Sequence, residues 1–164
     1  NESSMIRKIV SESLENNWGA HTIVNQNIKD ALRYTMIIDD AKYAKATMNT
    51  LDELVKKDGY ARLQVKNTWG KDSSYKGVNT ALAHPSGQYL EFQFHTPESF
   101  RVKMDISHKI YEEIRLFGVS AERKNFLKKK LVKEWDAVVE PDGWEDILKL
   151  DNFKDYFTNW NNYL

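Results

Sequence analysis

The stretch that decides the fold runs from 89 to 95, Tyr89-Leu90-Glu91-Phe92-Gln93-Phe94-His95. Apolar and polar side chains alternate without a break, which is the two-residue period of a strand with one face in a core. Leu90, Phe92 and Phe94 then face inward, while Glu91, Gln93 and His95 share the opposite face. A plain solvated sheet face would accept the same polar residues, and so would a face built for chemistry. Immediately beyond, Thr96-Pro97-Glu98 supplies a capping residue, a proline for the first helical position and an acid for the first turn. The spacing therefore predicts a helix from there to about 116, stopped at Gly118.

Working outward, His84-Pro85-Ser86-Gly87 reads as a hairpin turn fed by a short strand over 78–83. A polar loop rich in Lys, Ser and Gly occupies 67–77, and 60–66 alternates again with Ala61, Leu63 and Val65 inward. ALRYTMII at 31–38 is a further strand, with Leu32, Tyr34, Met36 and Ile38 on one side and Arg33 and Thr35 on the other. Asp39-Asp40 is placed to cap a helix over 41–57, with the stripe Tyr43, Ala44, Leu51, Leu54 and Val55, and Asp58-Gly59 stops it. Met5, Ile6, Ile9, Val10 and Leu14 predict a first helix over 4–17. The resulting order α-β-α-β-β-β-α predicts an α+β fold with a mixed sheet of about four to five strands flanked by helices. Beyond 118 the character changes: Lys128-Lys129-Lys130 and the aromatics Trp135, Trp144, Phe153, Tyr156, Phe157 and Trp160 sit in a helical pattern that Pro141-Asp142-Gly143 breaks into at least two helices. The expected division is a domain over 1–118 and a helical C-terminal extension over 119–164 packed on it.

Composition narrows the chemistry. The 164 residues carry Lys+Arg 24 against Asp+Glu 24, a balance that argues against wholesale binding to duplex DNA. Cys 0 excludes disulfides, thiolate metal sites and a cysteine nucleophile. No run approaches the roughly 18 apolar residues of a membrane span, so no membrane partner is expected. Asn1-Glu2-Ser3-Ser4 carries neither a signal-peptide pattern nor an initiator Met, and an excised piece of a longer chain is the expectation. No Gly-x-Ser-x-Gly elbow, P-loop or His-Glu-x-x-His spacing occurs, and His21, His84 and His108 read as ordinary surface or cap residues.

What remains is a polar strand face and a cationic loop. Asp30 stands at the mouth of the 31–38 strand, where a turn or cap role would also explain it. Were that strand to neighbour 89–95, Asp30 and Glu91 could together hold one Mg²⁺ among phosphate oxygens. Lys66, Lys71 and Lys76 surround Trp69 and Tyr75. Such a loop is either an ordinary soluble connection or a nucleotide contact, cations meeting phosphates and a ring meeting a base.

Taken in order, these segments resemble the synthetase domain of RelA/SpoT-type alarmone enzymes, a nucleotidyltransferase-like fold. Ser4-Met5-Ile6-Arg7-Lys8-Ile9 is similar to that family's Ser-Ile-x-x-Lys-Leu element. Ile28-Lys29-Asp30-Ala31-Leu32-Arg33-Tyr34 looks like its Asp-x-x-Gly-x-Arg segment, with Asp30 at the Mg²⁺-binding aspartate. Tyr75-Lys76-Gly77-Val78-Asn79 lies where the family has a tyrosine that stacks on the acceptor base. Glu91-Phe92-Gln93-Phe94-His95-Thr96 resembles its Glu-Ile-Gln-Ile-Arg-Thr. The wording is closer still to the divergent branch found in bacterial secreted effectors and polymorphic toxins. Departures are the family's arginine ahead of the serine, whose position would fall before Asn1, Asn79-Thr80 in place of a Ser-Leu-His region, and His95 in place of the last motif's arginine.

The resemblance implies a Mg²⁺-dependent pyrophosphokinase that transfers pyrophosphate from ATP to the 3′-hydroxyl of a purine nucleotide, of the (p)ppGpp or (p)ppApp kind. Asp30 and Glu91 would be the catalytic and metal-holding carboxylates. Ser4, Lys8, Arg33, Lys66 and Lys76 would hold ATP phosphates, and Tyr75, Asn79, Gln93 and His95 the acceptor. An RNA or tRNA 3′ end as acceptor, and a non-catalytic binding module of the same fold, are the alternatives. The effector branch implies an immunity or antitoxin partner and action in the cytoplasm of a target cell, or in the producing cytoplasm.

Overall fold

The computed structural model describes residues 32–147 and, singly, positions 10 and 149. The helix expected over 4–17, the candidate residues Ser4, Lys8 and Asp30, and the aromatics from Phe153 onward lie outside the described residues. Within them, Arg33–Ile37 forms strand β1, Ala61–Asn67 β2, Val78–Ala83 β3 and Tyr89–His95 β4. These strands make one mixed sheet in the order β1-β4-β3-β2, with β1 parallel to β4 and the other pairs antiparallel. A 3-10 turn at Asp40–Lys42 leads into helix α1, Tyr43–Lys56. Helix α2, Pro97–Val102, passes through a π turn at Lys103–Ser107 into α3, His108–Ile114; helix α4 is Ala121–Asp136. The class is the expected α+β, and no described helix is long and apolar enough to cross a membrane.

Register sorts the strand residues into two faces. Tyr34 and Met36 of β1, Phe92 and Phe94 of β4, Val78 and Thr80 of β3 and Val65 of β2 fall on one. Phe92 and Phe94 stack there with ring centroids 4.9 Å apart, and Tyr34 lies over Phe92 at 6.1 Å. Helix α1 covers this face with Tyr43, Ala44, Thr47 and Leu51, all buried at helical spacing. Its first residue clamps it to the sheet: Tyr43 donates its hydroxyl to the Phe94 carbonyl at 2.7 Å. Asp39, expected as a side-chain cap, makes no such bond; its backbone carbonyl accepts from Lys42 N–H at 2.9 Å and closes the 3-10 turn instead.

The second face departs from its expected solvated character. Gln93 is 4% exposed and His95 0%. Helix α2 begins directly after β4 and folds back over its end, so Ser99, Phe100 and Lys103 meet His95 and Gln93. The start of α2 is as the sequence predicts, with Thr96 accepting from Ser99 N–H, Ser99 Oγ accepting from Thr96 N–H and Pro97 in the first turn. Helix α4 buries Leu127, Leu131 and Trp135 on one stripe, and these join Tyr43, Phe94 and Val102 in a single core cluster. Its Lys128, Lys129 and Lys130 are exposed on the other side.

Candidate active site

Four strands bring polar side chains into rows on the second face. Arg33 of β1 pairs in register with Glu91 of β4, Thr35 with Gln93, Gln93 with Asn79 of β3, and Asn79 with Lys66 of β2. The parallel pairing of β1 with β4 is what joins Arg33 to Glu91, residues 58 apart in sequence. Local sequence could not show it, because the strand that comes first is placed next to the strand that comes last.

At the centre of the face is a short hydrogen-bonded chain. Arg33 Nε donates to Glu91 Oε2. Glu91 Oε1 accepts from Gln93 Nε2 at 2.9 Å, and Gln93 Oε1 accepts from Lys103 Nζ. The carboxylate is thus held at both oxygens and its plane is set, while a carboxylate's four lone-pair sites leave acceptor capacity for a proton, a hydroxyl or a metal ion. The Glu91 side chain is 16% exposed and that of Arg33 44%. Lys103 was not among the sequence candidates. Its ammonium is drawn down to about 8, first by burial and then by the Arg33 charge, against the pull of Glu91. Only the lysine at helical distance beyond Glu91-x-Gln93 could have signalled it, and a lysine in a helix is ordinarily solvated.

Next to this chain is a buried network around His95. Its Nε2 lies 2.7 Å from the Tyr75 hydroxyl, which is also 2.7 Å from Asn79 Oδ1, and its Nδ1 lies 2.9 Å from Ser99 Oγ. Burial, with the Lys103 charge second, pushes the imidazole down to about 3 and keeps it neutral. Burial, with the Glu91 charge next, raises the Tyr75 phenol well above its usual range. The Tyr75 ring is packed edge-on to His95 and tilted against Trp135, each at 5.3 Å. Gly77 makes this approach sterically feasible: a Cβ there would stand 3.0 Å from His95 Cε1 and from the Phe94 carbonyl oxygen.

The cationic loop is arranged otherwise than the sequence suggested. Trp69 is buried in the core, edge-on to Tyr43 at 5.4 Å, and offers no ring to a base. Lys76 is corrected as a phosphate ligand: it is 2% exposed, and its ammonium donates to the Val138 carbonyl at 3.0 Å and to Glu140 at 3.3 Å. A lysine so deep is tolerable only when paired, and the chain after α4 supplies the pair. Lys66 remains exposed on the polar face. A separate groove of about 430 Å³ beside Lys76 is lined with Lys71, Asp72, Asp136 and Glu140.

Among the described residues no group of three or more His, Asp or Glu converges on a common point. Glu91 is a hard oxygen donor of the type Mg²⁺ takes, and that ion commonly binds through one or two carboxylates, completing its shell with water and phosphate. The donor set on the face is compatible with such an ion bound together with a polyphosphate.

Comparison with solved structures places this architecture. A small alarmone synthetase 1 from Bacillus subtilis superimposes with a TM-score of 0.55 at 15% identity, covering 80% of this chain and 70% of that one. The same enzyme bound to its product pppGpp matches at 0.53 and 12% identity over 97% of this chain and 75% of that one. The type VI effector Tas1, in complex with its immunity protein, matches at 0.51 and 19% identity over 80% of this chain and 75% of that one. The chain therefore has the fold of these proteins. No family model and no curated protein sequence matches it.

Proposed function

We propose that the chain is a nucleotide pyrophosphokinase whose reaction centre is the Arg33–Glu91–Gln93 row. The observation that carries it is a carboxylate oriented at both oxygens by Arg33 and Gln93, on the β4 face of a fold shared with alarmone synthetases. In the reaction the 3′-oxygen of a purine nucleotide forms a bond to the β-phosphorus of ATP. The bond between that phosphorus and the oxygen bridging to the α-phosphate breaks, and AMP leaves with the bridging oxygen. Glu91 is the base that takes the hydroxyl proton as the nucleophile comes into line. Arg33 and Lys66 meet the phosphates, whose charge shifts toward the leaving group in the transition state. Glu91, together with Asp30, would hold Mg²⁺, which supplies neutralisation of the triphosphate.

The acceptor belongs at Asn79 and Tyr75, which are partly exposed. Gln93 and His95, expected as acceptor contacts, are buried and engaged with protein groups, so they position Glu91 and Tyr75 instead. With the Tyr75 ring packed on His95 and Trp135, the acceptor meets its remaining edge rather than a free ring. The pppGpp bound to the small synthetase supports a purine nucleotide as acceptor class, and the Tas1 complex supports an effector role with an immunity partner.

The test is transfer of label from γ-³²P-ATP with Mg²⁺ to GDP, GTP, ADP, AMP or total tRNA, resolved by thin-layer chromatography and gel. A labelled product that falls at least about 100-fold in Glu91→Gln, with folding unchanged, is expected from loss of a general base. Wild-type rates in folded Glu91→Gln protein would refute the assignment.

A further inference from the structure

Lys76 and Lys103, one buried and one half-buried, are treated differently. Lys76 is paired with a carboxylate and a carbonyl. Lys103, half-buried on the reaction face, has no carboxylate partner among the described residues. Its ammonium donates to the neutral amide oxygen of Gln93 and stands 5.8 Å from the centre of the Phe100 ring. An ammonium has three donors, so capacity is left over. The Lys103 ammonium feels the Arg33 charge against it and the Glu91 charge in its favour. A half-desolvated cation with spare donors and a second cation nearby is an unfavourable arrangement until an anion joins it.

The backbone shows how the lysine reaches this place. Lys103 is the first residue of the π turn Lys103–Ser107, the wide turn that separates α2 from α3. Such turns cost regular hydrogen bonding and recur where a helix must re-aim a side chain at a functional site. Here the side chain at the turn's start is directed onto Gln93, and through it toward Glu91.

We infer that Lys103 is a phosphate-binding residue of this site, delivered by the π turn, that takes a phosphate oxygen of a nucleotide seated beside Glu91, an inference that rests on the nucleotide reading of this face. Binding would give the half-buried ammonium an anionic partner and leave Gln93 free to keep the Glu91 carboxylate in its plane. The phosphate belongs either to the ATP donor or to the acceptor, and the two are separable by ligand.

The experiment is isothermal titration, in the presence of Mg²⁺, of the wild type, Lys103→Met, Lys103→Gln and Lys103→Arg. The probes are inorganic tripolyphosphate, α,β-methylene-ATP (which lacks the bond that breaks) and GDP, with label transfer measured in parallel. Tripolyphosphate binding, and that of one of the two nucleotides, should weaken at least tenfold in whichever of Lys103→Met and Lys103→Gln keeps the wild-type melting curve. Lys103→Arg should stay within about threefold, since it conserves the charge. Unchanged affinity for all three probes in a folded charge-removing variant would overturn the assignment, even where the wild type transfers pyrophosphate. Loss of tripolyphosphate affinity in a protein that transfers nothing would keep Lys103 as a phosphate ligand while removing the pyrophosphokinase. A wild type that binds none of the probes would remove both.

Discussion

Lowering the pH from 7 to 5 should destabilise this fold through His95 alone by about 2 kcal/mol. The imidazole is fully buried, with Tyr75 at one ring nitrogen and Ser99 at the other. Burial and the Lys103 charge hold its folded pKa at about 3, against its ordinary value of 6.5. A depressed histidine contributes stability that is present above the unfolded pKa and is lost as pH falls toward the folded one. Between pH 7 and 5 the unfolded chain takes up most of a proton at this position and the folded chain takes up almost none. Integrating that difference gives the figure of about 2 kcal/mol, and the loss continues until pH approaches 3. Urea unfolding at both pH values, with unchanged slope, would read it as a shift in midpoint. The His95→Gln variant isolates the contribution: its loss over the same interval should be smaller by about 2 kcal/mol. Equal losses in the two proteins, or an imidazole resonance from His95 titrating near 6.5 in the folded state, would refute the reasoning.

Glu140→Gln should destabilise the protein by about 3 kcal/mol, because it leaves the buried Lys76 ammonium without its carboxylate. Lys76→Met, which removes that charge and fills its volume, should cost less, about 1 kcal/mol; urea midpoints in the opposite order would contradict the pairing. Gly77→Ala brings a Cβ to 3.0 Å from the Phe94 oxygen and His95 Cε1 and should cost about 1–3 kcal/mol by calorimetric melting. Tyr75→Phe removes the hydroxyl shared by Asn79 and His95 and should cost about 1–2 kcal/mol, with a shifted His95 ring resonance as its signature. A silent spectrum would show the hydroxyl to be unengaged.

Much of the site's central strand was legible in the sequence. The alternation over 89–95 assigned Glu91, Gln93 and His95 to one face, and Thr96-Pro97 marked the helix that follows. Arg33 and Lys66 were nominated as cations for the phosphates through the family resemblance, and the register puts both on that face. Lys76 and Trp69 misled for a shared reason. A lysine and a tryptophan in a polar loop read as solvent groups unless another segment supplies partners, and here those partners are Glu140, 64 residues away, and Tyr43. Lys103 was invisible because a π turn leaves no pattern in side-chain periodicity that a lysine would reveal.

What the sequence by itself determined is therefore the set of elements and the faces of its strands, since periodicity, caps and turns depend on residues a few positions apart. Only the tertiary structure decided that β1 runs parallel beside β4, that the polar face is half covered by α2 and α4, and which cation stands near the carboxylate. Those outcomes depend on burial, and burial is a property of segments meeting across the whole chain. The same ammonium is a solvated ornament, a structural partner or a phosphate ligand according to what desolvates it and what charge lies opposite.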